Sequence, residues 1–404
     1  MHLPNTTAQL EEGDPAPRAS AWDVRVLDDL DETWLERTVA FLQRFTPPGT
    51  DPVWSVDYFK WKLGSANPAG RGFLTCAISG EDVVGVTSIT PKRAWYRQQV
   101  MRAAEIGDAY THPAWLRRPT THRTVAAGSE PRPRPLSTSD YLTRSIFGRL
   151  SVDTRARALQ QGIQLIYGTP NARSRAGYEK RLGFVSHVYN NQSMIRLTAR
   201  GVVSRDHRLA WGLRLLSVAE DAYQGIAHAV SEVPRRTSGD TVELMAQATD
   251  ELDELWDRLK GQYAFSLLRD RAYFQYRFFE HPLATYRIYR LSRRGRLDGV
   301  MVTRTLTTTW GKRYCHIADW CVDVSRSGLF PILLEHVMHA EDRTCIDGFF
   351  LWSGTAQRSA LALRLLGFVG ASAAPIIFFQ HAAGRELLER CRDLDFTLAC
   401  SDNV

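Results

Sequence analysis

The sequence predicts two tandem α/β domains built on one plan, and three observations predict it. The chain has 404 residues, about twice the length of a typical domain, so two cores of ordinary size are expected. Five segments recur in the same order in the two halves, the signature of a duplicated unit. Within each half, alternating apolar patterns of strands interleave with helical patterns of about 3.6-residue period, as in a sheet covered by helices.

The first copy opens with a strand, WDVRVL (22–27), and an amphipathic helix, DETWLERTVAFLQRF (31–45). Their counterparts are DTVELMAQ (240–247) and DELDELWDRLKGQY (250–263). The segment DYFKWKLGSANPAG (57–70) then matches AYFQYRFFEHPLATY (272–286), with Tyr58 and Phe59 at Tyr273 and Phe274. A hairpin follows in each copy, EDVVGVTSITPKRAWY (81–96) against RLDGVMVTRTLTTTW (296–310). A third strand, AAEIGDAYTHP (103–113), aligns with CHIADWCVDVS (315–325), so that Ile106 and Asp108 meet Ile317 and Asp319. Last come IQLIYGTPNARSRAGYEKRLGF (163–184) and IDGFFLWSGTAQRSALALRLLGF (346–368). Between the copies, residues 208–230 have helical spacing and read as a bridging helix within a linker of 201–240.

Composition excludes several classes. With 44% apolar and 24% charged residues the chain is ordinary for a globular protein, and a net charge of +7 is compatible with anionic partners without requiring them. Cysteines at 76, 315, 321, 345, 391 and 400 form no C-x-x-C pair, which argues against a zinc knuckle or redox motif and suits reduced, buried thiols. No apolar run approaches a membrane span, and APIIFF (374–379) reads as a core strand. Residues 1–20 lack a signal-peptide pattern and are expected to form a disordered tail. A cytoplasmic protein is the expectation. His336 and His339 lie three apart on a helical segment but lack a third ligand, so no metal is expected.

The residues that carry chemistry cluster in the first copy. Glu105 and Asp108 are two carboxylates in an otherwise apolar strand, and burial would raise them toward values useful to a base. Asp108, matched by Asp319, can equally cap a turn or pair with a cation, which leaves Glu105 the better base because its counterpart is His316. Asn171 and Ser174 stand at a strand exit and helix start, either as N-caps or as hydrogen-bonding partners for a ligand. Trp54 and Tyr58 belong to an aromatic segment that reads as core or as a recognition surface.

The run GDAYTHPAW, SIFGRL and IYGTPNARSRAGYEKRLGF resembles the core of the GNAT superfamily of N-acyltransferases, in the subgroup with two such domains per chain. The resemblance implies, in each domain, a mixed, mostly antiparallel central sheet flanked by helices, splayed between two central strands. An acyl thioester would enter the splay and an amine attack it. It assigns residues 21–200 to a catalytic domain and 241–404 to a degenerate copy that lacks the site residues. Backbone N–H groups around Tyr110 and Thr111 would bind the thioester carbonyl. Tyr178 would protonate the departing thiolate, although one residue more than the common spacing separates it from Gly183. The family's phosphate-binding turn is here split by a basic insertion (119–143), with Arg117 and Arg118 before it and Arg144, Ser145, Ile146 and Gly148 after it. A loop this long can still close at modest cost. The implied reaction is transfer of an acyl group from acyl-CoA to a small-molecule or biosynthetic amine. An aminoacyl-tRNA or acyl carrier protein donor is the alternative, because seven arginines fall between 117 and 149, and a silent acyl-CoA-binding protein is the third reading.

Overall fold

The computed structural model describes residues 22–46, 54–116, 141–142, 144–186, 191–198, 200–201, 239–308, 310–323, 328–341, 345–354, 360–374, 376–379 and 394–401. The expected tail, most of the linker and nearly all of the basic insertion lie outside them.

The first copy supplies β1 (Asp23–Leu27), α1 (Glu32–Phe45), α2 (Val56–Leu63), β2 (Phe73–Ser79), β3 (Asp82–Tyr96), β4 (Gln99–Thr111), α3 (Pro113–Leu116), α4 (Ile146–Gln160), β5 (Leu165–Gly168), α5 (Ala172–Arg181), β6 (Phe184–Ser186) and β7 (Asn191–Leu197). The second supplies β8 (Asp240–Leu244), α6 (Glu251–Leu259), β9 (Phe265–Leu267), α7 (Arg271–Phe274, continued by a π turn to Phe279), β10 (Arg287–Arg293), β11 (Arg296–Thr307), β12 (Arg313–Val322), α8 (Leu329–Ala340), β13 (Gly348–Gly354), α9 (Ala360–Leu365), β14 (Val369–Ala374), β15 (Ile377–Phe379) and β16 (Leu394–Asp395).

Local rules account for the helices. Asp31 caps α1 by accepting from the Trp34 amide at 3.1 Å, and Leu35, Val39, Phe41 and Leu42 form its buried face. Ser55 caps α2 in the same way, accepting from the Tyr58 amide at 3.1 Å. The Ser145 hydroxyl accepts from the Gly148 amide at 3.0 Å and starts α4.

The strands form two sheets with the same plan and a reciprocal exchange. Sheet one runs β1-β2-β3-β4-β5-β15-β6, and sheet two runs β8-β10-β11-β12-β13-β7-β14. Neighbours along both orders are antiparallel except at β4–β5 and β12–β13, which are parallel. The expected mixed, mostly antiparallel sheets are therefore present. A boundary at residue 200, however, does not separate the sheets. Strand β7 of the first copy lies between β13 and β14, and β15 of the second copy lies between β5 and β6. The repeats reveal this only in space, because a strand's hydrophobic pattern does not say which copy of a sheet it completes.

Further contacts weld the copies. Strand β9 extends sheet one by pairing with Ala94–Tyr96 of β3, and β16 adds to β9 in parallel. Trp61 stacks on Tyr276 with ring centroids 4.7 Å apart and donates from Nε1 to the Tyr276 carbonyl at 3.2 Å. Among the described residues Cys76, Cys315, Cys321 and Cys400 are buried free thiols. Burial pushes the Cys76 thiol up to about 11, which keeps it protonated.

Candidate active site

Two irregularities in β4 open a cleft. Strands β4 and β5 pair only from Ala103–Leu165 to Glu105–Tyr167. Beyond that point β4 continues with β3, while β5 ends at Gly168 and the chain turns into α5, so a wedge opens between them. In the same stretch β4 carries a bulge: Val86 faces Tyr110 and Ser88 faces Gly107, leaving Asp108 and Ala109 opposite Thr87 alone. The resulting cleft of about 220 Å³ is lined by Glu105–Tyr110 of β4, by Gly168–Asn171, Ser174 and Tyr178 on the β5–α5 side, by Leu42, Thr46 and Trp54, and by Ile377 of β15.

Glu105 sits where the two strands part. Its side chain is almost completely buried; Oε1 accepts from the Thr169 hydroxyl at 3.3 Å and Oε2 lies 4.0 Å from Lys92 Nζ. Tyr178 faces the same cleft from α5, held edge-to-face by Phe147 and Phe184 with centroids 5.0 Å away in each case. Burial raises its phenol well above the usual range, against the smaller opposing pull of the Ser151 and Thr87 hydroxyls, so the group is a protonated donor. Asp108 is bound differently. Its Oδ2 accepts from Lys62 Nζ at 2.7 Å and from the Ser88 hydroxyl at 2.6 Å, and the Lys62 and Asp108 side chains are 1% and 0% exposed.

The segment 394–401 backs this wall, which the sequence did not suggest. The Ser401 hydroxyl lies 3.0 Å from that of Thr169, and Tyr167 donates to the Cys400 carbonyl at 2.7 Å. The segment is anchored from the second copy. Arg277 donates to the Ser401 carbonyl at 3.0 Å, Arg269 pairs with Asp395 and Asp319, and the Thr397 hydroxyl donates to Asp319 at 2.8 Å.

The other expected residues divide. Asn171 and Ser174 line the cleft, and Asn171 also caps α5, its Oδ1 accepting from the Ser174 amide at 2.9 Å. Trp54 lines the cleft and donates to the Thr46 hydroxyl at 2.8 Å. Tyr58 does not line it: the ring is fully buried among Trp61, Phe59 and His281, where it joins the copies rather than facing a ligand. Tyr110 lines the cleft with its ring stacked on Phe45, whereas Thr111 has already returned to the ladder opposite Gly85. Ile146 is a core residue with Ala77, Val84 and Leu150, so its side chain cannot face a ligand. Arg144 is exposed just before α4. Arg117 and Arg118 lie outside the described residues. His336 and His339 lie on α8 of the second copy.

Sequence reasoning missed Lys62, Lys92, Thr169 and Ser401. Lys62 had a legible signal, a charge four residues after Tyr58 on the buried face of α2.

The matching wedge of the second copy is filled. Strands β12 and β13 pair only from Tyr314–Gly348 to His316–Phe350. Beyond them Leu398 and Ala399 are buried in a cluster with Val302, Ala318 and the partly buried Phe350 and Trp352. His316, at the position of Glu105, is pushed down to about 4 by burial, with Arg304 acting in the same direction.

No protein-family model matches the sequence, and no curated protein matches it either. Solved structures do. A GCN5-related N-acetyltransferase from Anabaena variabilis superposes with a TM-score of 0.53 at 12% identity, over 88% of this chain and 72% of that one. Saccharomyces cerevisiae N-myristoyltransferase, solved with bound myristoyl-CoA, gives 0.54 at 14% identity, over 94% and 86%. The chain has the GNAT fold. A probable N-acyltransferase from Enterococcus faecalis extends the likeness, with a TM-score of 0.50 at 12% identity over 89% and 72%. Identities this low speak for the fold and not for a shared substrate. Among the described residues no helix is long and apolar enough to cross a membrane.

Proposed function

We propose that the protein is an N-acyltransferase that moves an acyl group from acyl-coenzyme A to an amine, in the cleft of the first copy. The observation that carries this reading is the wedge between β4 and β5, with a bulged backbone, a buried carboxylate and a protonated phenol on its walls. Those are the parts acyl transfer to an amine requires: donors for the oxyanion, a base and an acid. The GNAT fold supports it, as does the bound myristoyl-CoA of the yeast neighbour.

In this reading the thioester lies in the wedge with its carbonyl oxygen toward the backbone of the bulge at Asp108 and Ala109. The neutral amine adds to the carbonyl carbon and its proton passes to Glu105. The C–S bond then breaks, the amide forms, and the leaving thiolate takes the proton of Tyr178. The donor's phosphates lie toward the N-terminus of α4, a 15-residue helix whose dipole favours anions, with Arg144 beside it. Leu42, Thr46 and Trp54 form the acceptor side. The filled wedge and His316 support a scaffolding role for the second copy.

Calorimetric titration tests the donor. Coenzyme A is expected to bind and to raise the melting temperature, with weaker binding in Arg144→Glu, whereas charged tRNA gives no comparable stabilisation. Absence of any coenzyme A binding contradicts the proposal.

A further inference from the structure

A carboxylate beside an acyl-transfer cleft suggests a base, but the surroundings of Asp108 assign it another task. We propose that Lys62 and Asp108 are a positioning pair that holds the β4 bulge in the shape that turns its backbone N–H groups into the cleft, and that neither residue is the base. The ligand in this statement rests on the acyl-transfer reading above; the bulge does not.

The backbone needs holding. Asp108 has φ of 50°, the left-handed region, where a residue with a Cβ is strained and glycine is not. The chain places aspartate there although Gly107 is its neighbour, so the side chain offsets a cost that glycine would avoid. One carboxylate oxygen does so by joining three elements: Asp108 on β4, Ser88 on β3 just past the bulge, and Lys62 in the last turn of α2. Burying an ion pair is no general gain in stability, and apolar replacements of such pairs are often neutral. What the pair supplies is a fixed geometry. Its second oxygen, Oδ1, is shielded from solvent and lacks a hydrogen-bond partner among the described residues, so the Lys62 and Ser88 contacts on Oδ2 are the ones that fix the carboxylate.

The second copy provides an internal control. Strand β12 also carries an extra residue, Ala318, between the pairs Val302–Asp319 and Thr303–Ile317. Asp319 is buried there too, yet it does not take a positive φ, and its cation is Arg269 from the loop before α7. Arg277, at the position of Lys62 in the repeat, donates to the Ser401 carbonyl instead. The left-handed aspartate held from the second helix of the copy thus occurs where the wedge is open and is missing where chain fills it.

Two double variants test the pair. In Lys62→Met with Asp108→Asn both charges go, but asparagine accepts from Ser88 and tolerates positive φ. In Lys62→Met with Asp108→Val the branched side chain opposes that conformation, with Asp108→Ala as the milder substitute should the valine protein not fold. The asparagine protein is expected to keep kcat within about tenfold of wild type. The valine or alanine protein is expected to lose about 100-fold or more in kcat with KM for the donor little changed, the pattern of lost oxyanion donors. Amide hydrogen exchange over residues 107–111 should rise only in the second protein. An asparagine variant with normal melting and donor binding but no turnover would make Asp108 catalytic and overturn the proposal. So would wild-type exchange in the valine or alanine protein. Exchange needs no substrate, so it judges the pair even if wild-type protein transfers no acyl group, a result that sinks only the acyl-transfer reading.

Discussion

Glu105 and His316 stand at the same position of the two copies, and their surroundings differ. Glu105 faces a cleft beside Thr169 and Lys92, whereas His316 is packed against Phe350 with ring centroids 4.9 Å apart and its Nδ1 is buried without a partner among the described residues. Burial lowers His316 from its ordinary 6.5 to about 4. Between those values the unfolded chain binds a proton that the folded chain refuses. This group's cost is therefore absent above pH 6.5 and grows as pH falls toward 4, at up to about 1.4 kcal/mol per pH unit. Denaturant unfolding at several pH values should show His316→Phe with a flatter acid limb than wild type; equal slopes would contradict this. Residues also mark the limit of what the sequence displays. Glu105 was singled out as a carboxylate in an apolar strand and Tyr178 through the family resemblance, and both line the cleft; the buried places of Tyr58 and Ile146 were not legible, because an apolar or aromatic side chain looks the same facing a ligand or a core.

At the scale of elements, the start of α4 shows how a glycine can be read for the wrong reason. Gly148 resembled part of a phosphate turn, yet a Cβ there would come within 2.3 Å of the Tyr141 carbonyl oxygen and 2.7 Å of the Ser145 hydroxyl. It is small because the preceding turn packs against it. Gly148→Ala is expected to cost about 1–3 kcal/mol, as overpacking does, and to raise the donor's KM because the capped helix end shifts. A protein unchanged in melting temperature and KM would contradict that. Strands, helices and their order were legible from periodicity, while the β4 bulge was not, since one extra residue in a strand only offsets the alternation for a single step.

For the whole molecule, the reciprocal exchange of β7 and β15 is the main departure from two side-by-side domains. Each sheet lacks a strand unless the other copy supplies it, so the two copies should unfold in one cooperative transition. A fragment ending at residue 200 should fail to fold, because β5 and β6 lose β15 from between them and β7 has no partner. A well-folded fragment or two separate transitions would contradict this. The duplication was legible, but the exchange was not, because pairing partners depend on space and not on order along the chain. The same welding brings Ser401 to Thr169 and Ile377 to the cleft, so the site belongs to the whole chain. The most direct test of the central claim is release of free thiol from acyl-coenzyme A across a panel of amines, comparing wild type with Glu105→Gln and Tyr178→Phe. Amine-dependent release by wild type, reduced about 10²–10⁴-fold in each variant at unchanged melting temperature, is the predicted result. No amine-dependent release by wild type, or release untouched in both variants, would contradict it.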